Sequence, residues 1–386
     1  MQLLKKLSHG DAKNNVRTRK RNGAKKNQKH VTDLKNISAN VLLAALLVVV
    51  FVVSLFLGNY PIDPITVIRI LDAGILEFIG NAILSLTGIK LAFFWSVPQT
   101  WSPVMDTVVW SIRFPRAVAV ALVGAGLAIS GAVFQSTFRN PLVSESILGV
   151  SEGAAVGAAI AILLSQSSVV IELSAFAFGV LAVTMTYQLS RTYRSNPTLV
   201  LVLAGIIVGS LFASVISLIK YVADPYTVLP SLTYWLLGSF ANVSANDVLM
   251  VAPVLLGCIS ILLLIRWRLN VLSMGDEEAR TLGIDTQKLR LVVIACATLA
   301  TAACVSISGL VGWVGLVIPQ IARMVVGPNH KVMLPATVLI GASYLLVIDT
   351  ICRDLTTGEI PISIVTGIIG APIFMLLLKN ATQSWA

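Results

Sequence analysis

From residue 39 onward, hydrophobic and polar positions fall into long blocks and do not alternate. Apolar stretches predict helices over 39–58, 114–136, 145–165, 168–190, 197–219, 246–266, 289–308, 310–326, 332–352 and 362–379. Most approach the ~20 residues that a helix needs to cross the hydrocarbon core. Gly, Pro, Asn and Asp mark the turns between them. A spanning β-barrel would show alternating segments of about ten residues, which this pattern lacks. Residues 60–112 form a long connection with two weakly amphipathic stretches, Ile65–Ile79 and Ala82–Phe94, expected at the outer surface. Asp224–Asn246 is a second outer connection, with Pro225, Pro230 and a short apolar piece around Trp235. The fold class is therefore an all-α integral membrane protein with about ten transmembrane helices.

Composition supports this class. The chain is 56% hydrophobic and 12% charged, against roughly 25% charged residues in soluble domains. Its mean hydropathy is +0.87. The net charge of +10 is concentrated in residues 1–38, where eleven Lys and Arg face only Asp11 and Asp33. That tail lacks an apolar face and is expected to be disordered. Anionic lipid is its natural partner, at ~1 kcal/mol per basic residue near the surface; nucleic acid is not. The basic stretch is too long for a signal peptide, and the run ends in Gly58-Asn59-Tyr60-Pro61, so a retained first helix with its N-terminus inside is expected. Residues 39–380 then form the membrane domain and 381–386 a short cytoplasmic C-terminus. This topology places 22 of the 28 Lys and Arg inside, as the positive-inside rule requires. Outside remain Arg69, Lys90, Arg113, Arg116, Lys220 and Arg353.

Catalytic chemistry is not legible. His9 and His30 lie in the tail and His330 in a short inner loop; Cys258, Cys296, Cys304 and Cys352 sit far apart in apolar runs without ligand spacing. No P-loop motif is present, and Gly124-Ala125-Gly126 lies inside an apolar helix, so a dinucleotide reading fails. Intramembrane ionisable residues are scarce, Asp349 being the main exception, read as a structural residue paired near the outer surface. Neither a catalytic residue nor a bound metal or cofactor is expected. Small residues at helical spacing, Gly124 with Gly131, Gly153 with Gly157 and Gly205 with Gly209, are expected to let helix backbones approach.

The informative inner segment is Ser273–Arg290, the most acidic stretch of the body. Asp276, Glu277 and Glu278 suit the start of a short helix, continued by Ala279, Arg280 and Leu282. Gly283 would end it, and a second short helix would run from Thr286. A solvated loop is the plain alternative; the helix–Gly–helix order suits an element presented to a cytoplasmic partner.

At these residues the chain resembles the permease subunits of iron-siderophore and cobalamin ABC importers, the FecCD family. The likeness covers residues 39–380. Its motifs are Arg113-Phe114-Pro115-Arg116 with LVGAGLAISGAVFQ (122–135), Arg139-Asn140-Pro141-Leu142, ILGVSEGA (147–154), EARTLG (278–283), GWVGLVIPQIAR (312–323), LPATVLIGASYLLVID (334–349), and Glu359-Ile360-Pro361 through Phe374. Two departures stand out: Gln320 where the family usually has His, and Ser363 where it usually has Gly. The resemblance implies a ten-helix permease that pairs with a second permease subunit around a central pathway, a heterodimer being favoured over a homodimer. It further implies two cytoplasmic ATPases that carry ATP and Mg, and an external solute-binding protein. Asp276–Gly283 would then be the ATPase-coupling helix, and Arg113, Arg116 and Arg353 the arginines that meet acidic residues of the binding protein. The plain alternative for them is local pairing with Asp106, Asp354 or Glu359. A ferric siderophore is the expected cargo, with haem or cobalamin as alternatives. The rivals are a secondary transporter and a non-transporting membrane scaffold.

Overall fold

A computed structural model describes residues 38–87, 99–164, 167–192, 197–356 and 358–385. The expected disordered tail, Lys90, Arg194 and part of Ala82–Phe94 lie outside the described residues. Regular structure among those described is helical throughout: α1 (Ser38–Phe56), α2 (Pro64–Thr87), α3 (Pro103–Thr107), a π-helical turn (Val108–Arg113), α4 (Phe114–Phe138), α5 (Val150–Leu164), α6 (Ser168–Thr192), α7 (Pro197–Val222), α8 (Val228–Leu237), α9 (Ala245–Leu264), α10 (Arg266–Met274), α11 (Asp276–Thr281), α12 (Thr286–Ser308), α13 (Val314–Val326), α14 (His330–Asp354) and α15 (Ile362–Trp385).

Seven helical stretches among the described residues are long and apolar enough to cross a bilayer. α5, α13 and the apolar part of α15, Ile362–Leu377, are shorter and occupy the places of the three remaining expected spans. α8, about 15 Å long at 1.5 Å per residue, is too short to cross. The connection at 60–112 differs from its expected form. Pro64–Thr87 is one continuous helix, and the second span begins at Pro103, running unbroken to Phe138. Hydropathy missed this because Arg69, Asp72 and Glu77 interrupt the apolar positions of α2. Val67 and Ile70 are nonetheless fully buried, and the Trp110 indole donates to the Ile70 carbonyl at 3.4 Å. Residues 139–149 are a non-helical inset, so the third span starts at Val150; the expected second short helix from Thr286 is the first turn of α12. At the other end, α15 carries helix through the expected C-terminal tail as far as Trp385.

α4 and α12 are the core: 83% and 78% of their most apolar windows are buried, against 11% for α1. Lipid supplies no hydrophobic drive between helices, so packing rests on close approach. Along α4, a Cβ on Gly124 would collide with the carbonyl of Gly341 in α14, and one on Gly131 with the carbonyl of Gly315 in α13. Gly153 and Gly157 press against the carbonyls of Phe178 and Ser174 in α6, and Gly205 against that of Ile147. Gly209 is different, because its added Cβ would stand 3.8 Å from Gly149 and Glu152, an ordinary contact.

A polar interlock joins the same helices. Pro319 lacks an N–H, which leaves the Gly315 carbonyl four residues earlier without its helical donor. Gln135 of α4 fills that vacancy, donating from Nε2 to Gly315 O at 3.3 Å and to Leu316 O at 3.2 Å. Gln320 in turn donates to Gln135 Oε1 at 3.2 Å and to Pro141 O at 3.0 Å. Both family departures thus have defined partners, since Ser363 Oγ donates to the Leu310 carbonyl.

The glycine contacts separate cleanly by substitution. Gly131→Ala is expected to destabilise the chain by about 1–3 kcal/mol through overpacking, whereas Gly209→Ala stays within about 0.5 kcal/mol of the parent. Thermal unfolding in detergent checks both. Equal loss in the two variants would contradict the close-packing account.

Candidate functional site

Arg113, Arg116 and Arg353 converge on one end of the bundle. Proline shapes their approach. Pro115 cannot donate to a preceding carbonyl, and the chain enters α4 through the π-helical turn, with Phe114 N–H bonded to Val109 O. Arg113 and Arg116, three residues apart, then lie on one helix face. Arg116 is 5% exposed. It meets Asp349 through Nε (3.1 Å) and Nη2 (2.8 Å), and Glu359 through Nη1 (2.6 Å) and Nη2 (2.9 Å). Arg353 Nε lies 3.2 Å from Asp349 Oδ2. Asp349, 2% exposed, therefore bridges two guanidiniums.

The two outer arginines also close α1. A helix C-terminus leaves four carbonyls without intrahelical donors. Arg113 Nη1 donates to Leu55 O (2.9 Å) and Phe56 O (3.3 Å), its Nη2 to Tyr60 O (2.5 Å), and Arg353 Nη2 to Ser54 O (3.1 Å). Cations at this pole also suit the helix dipole. Of the three local partners foreseen, only Glu359 is used directly. The others are Asp349 and the carbonyls at the end of α1, because α1 and α14 come together only in the fold. In this conformation all three guanidiniums are turned inward and engaged.

At the opposite end of α9 and α12 stands the Arg266–Gly283 segment. Gly275, at φ +145°, separates α10 from α11. Gly283, at φ +77°, stops α11 with two bonds, Ile284 N to Ala279 O (3.0 Å) and Gly283 N to Arg280 O (2.9 Å). These are the paired bonds of a Schellman cap. Asp285 then caps α12, and the Lys288 amide and side chain hold its carboxyl below the usual range. Ala279 is buried, while Glu277, Glu278, Arg280, Thr281 and Leu282 face outward. The expected helix–Gly–helix element is present, projecting a charged face with Met274 and Leu282 exposed beside it.

His330 lies at the start of α14 and not in a loop. Its backbone N–H and Nδ1 both reach Asn270 Oδ1 of α10, at 2.8 and 2.7 Å, and Nε2 meets Ser136 Oγ of α4. A neutral ring satisfies all three, with Nδ1–H donating to Asn270 and Nε2 accepting from Ser136. This buried contact joins α10, and through it α11, to the two helices that carry the charged cluster at their far ends.

Beyond Asp349, three carboxylates inside the bundle were not foreseen, Glu145 on the 139–149 inset and Glu152 and Glu172 on α5 and α6. Glu145, Glu152 and Glu172 each enclose one oxygen without a hydrogen-bond partner among the described residues. Glu145 is 4% exposed. Window-averaged hydropathy hides each, since all three adjoin strongly apolar runs. Glu172 lines a cavity of about 930 Å³ at the end remote from α11. Ser306–Gly309 at the end of α12 form its buried side, and Thr227, Ser231 and Tyr234 of the α8 region an exposed side. Among the described residues, no group of three His, Cys, Asp or Glu could hold a metal.

Removing Asp349 leaves buried Arg353 without its carboxylate and Arg116 with Glu359 alone. Asp349→Ala is expected to cost about 3–5 kcal/mol, read as lower yield and a lower unfolding temperature in detergent. A wild-type melting profile would contradict the bridging role.

Comparison with known proteins matches this architecture. The FecCD transport family model covers residues 46–380. A molybdate import permease of Haemophilus influenzae is 39% identical over 87% of this chain and 94% of its own length. A cobalamin import permease of Halobacterium salinarum is 41% identical over 74% and 75%. A Helicobacter pylori iron chelatin permease is 38% identical over 71% and 83%. An inward-facing structure of an ABC transporter of metal-chelate type superposes with a TM-score of 0.75 at 38% identity, covering 89% of this chain and 99% of that one. Motifs, helix order and relatives agree: the chain is an ABC-importer permease belonging to the FecCD transport family.

Proposed function

We propose that this permease moves a ferric siderophore complex across the cytoplasmic membrane, both of its own termini lying in the cytoplasm. Two partner ATPases, binding ATP and Mg, drive it, and an external binding protein delivers the cargo. A second, related permease subunit completes the pathway, with a homodimer as the alternative. The observation that carries the ATP-driven reading is the Arg266–Gly283 segment. A short helix, stopped on both sides by glycines at positive φ and exposing Glu278, Arg280 and Leu282, suits a groove on a partner. The positive-inside bias supports its cytoplasmic placement.

Iron-chelate cargo is supported by the metal-chelate type of the superposed structure and by the iron chelatin relative; the cobalamin relative supports the alternative. The buried polar contact offers a transmission route. Movement of α11 reaches α10, and Asn270 and His330 pass it to α14 and α4. Docking of the binding protein at the arginine cluster requires a partner carboxylate to compete with Glu359 for Arg116, since Glu359 is the exposed member of that network, its side chain 25% exposed.

Vesicles holding the complete transporter, supplied with ATP and binding protein, test the cargo. Uptake of radiolabelled ferric siderophore should saturate and cease without ATP hydrolysis. Uptake of haem, cobalamin or molybdate in its place, or uptake that survives ATPase inactivation and collapses with the proton gradient, would overturn the reading. In the same vesicles, His330→Leu should leave ATP hydrolysis near the parent rate while uptake falls about tenfold, ~1.4 kcal/mol of lost coupling. A parallel fall in hydrolysis and uptake, or no change in uptake, would contradict the transmission route.

A further inference from the structure

The corner between α9 and α10 carries a cation, Arg266, that stands across from a second one, Lys331 of α14. α9 ends at Leu264 and α10 starts at Arg266, with Ile265 as the hinge between them. The first turn of α14 is fixed against this corner. Asn270 Nδ2 donates to Asn329 Oδ1 at 2.9 Å, and the Lys331 amide donates to the same oxygen at 3.1 Å. The backbone that carries Lys331 is thereby pinned to α10. A cavity of about 570 Å³ lies here, lined by Ser260, Leu263, Leu264, Arg266, Trp267 and Lys331. No carboxylate lines it, and among the described residues neither Arg266 nor Lys331 forms an ion pair.

The lining changes character along α9. Ser260 and Arg266 are six residues apart, about 9 Å along a helix axis at 1.5 Å per residue. The cavity therefore runs from a charged rim, Arg266 and Lys331, to Leu263 and Leu264 in the last turn of a membrane-crossing helix. Trp267, exposed beside the rim, is the residue type enriched where membrane meets water. A free inorganic anion meets the two cations but has no use for the leucines. An acidic protein surface reaches the rim but not an apolar wall at membrane depth. A phospholipid satisfies both parts: its phosphate meets the guanidinium and the ammonium, and its acyl chains cover Leu263 and Leu264. Basic pockets at the ends of membrane helices take anionic headgroups in this way. More positive charge enters at the same end. Asn40 Nδ2 of α1 donates to the Val332 carbonyl at 3.4 Å, so the basic segment 1–37 joins the bundle next to Lys331.

We propose that this cavity is a binding site for an anionic phospholipid, whose phosphate bridges Arg266 of α10 and Lys331 of α14. The lipid spans the same α10–α14 junction as the Asn270–His330 contact and steadies the base of the projecting α11 segment. The site is independent of which cargo the permease carries.

Native mass spectrometry of the full chain in detergent tests the site. The probes are phosphatidylglycerol, phosphatidylcholine with identical acyl chains, and glycerol phosphate, which has the charged group without the chains. One phosphatidylglycerol should bind about tenfold more tightly than phosphatidylcholine, and glycerol phosphate at equal concentration should not displace it. The double variant Arg266→Gln with Lys331→Gln should lose that preference, whereas Arg266→Lys should keep it. Without anionic lipid the double variant should unfold at the parent's temperature, which reports that it is folded. Ser260→Trp, which fills the cavity and leaves both cations in place, should also abolish the tight binding. Neutralising the tail instead, by Lys25→Gln, Lys26→Gln and Lys29→Gln together, should leave the tight site unchanged. The proposal falls if the two lipids bind alike, if glycerol phosphate competes, if the double variant or Ser260→Trp binds as the parent does, or if the tail variant loses the preference. A double variant that keeps the lipid but sheds its ATPase partners would overturn the proposal in favour of a protein contact.

Discussion

The structure depends on one constraint: in a bilayer, helices gain nothing by hiding apolar surface from one another, yet no backbone polar group can be left open. α4 answers both demands. Its small residues bring Gly124 and Gly131 against carbonyls of α14 and α13. Its Gln135 supplies the donor that Pro319 withholds from Gly315. Ser130 adds a bond to the Ala297 carbonyl of α12 at 3.1 Å. Everything else hangs on that core: α1 joins it at a charged end, and α10 at a polar one.

The two ends divide the work. At one, Asp349 gathers Arg116 and Arg353, and the arginines close the carbonyl end of α1. At the other, Asn270 and His330 tie the projecting α10–α11 segment to α14 and α4. The helices between them, α4 and α14, each run without a break from one end to the other. A channel for passive flow would need no such handle. Under the proposed function, this segment is where the chain receives energy from outside itself, in keeping with the lack of a nucleotide-binding motif in its sequence.

Much of this was legible in the sequence. Apolar length located the seven long spans and three shorter apolar helices, and charge asymmetry placed Arg113, Arg116 and Arg353 among six outer exceptions. The acidic helix ending at Gly283 was readable because caps are local. What escaped was either long-range or diluted. Asp349 and its partner Arg116 are 233 residues apart in the chain. α2 was diluted by three charges on its exposed positions. Glu145, Glu152 and Glu172 were masked by their apolar neighbours, and with them the only carboxylate in the cavity. The cavity itself is made from α5, α6, α8 and α12 together, which no linear pattern reveals.

The central claim is that the Arg266–Gly283 segment is where an ATPase grips this permease. All four native cysteines are buried, so a cysteine introduced at Glu278 is the single exposed thiol among the described residues. In membranes containing the assembled transporter, a short thiol-to-amine cross-linker at position 278 should join the permease to its ATPase in good yield. A control cysteine at Asn242, at the opposite end of α9, should not do so. Cross-linking at 242 but not at 278, or at neither while transport remains intact, would contradict the account.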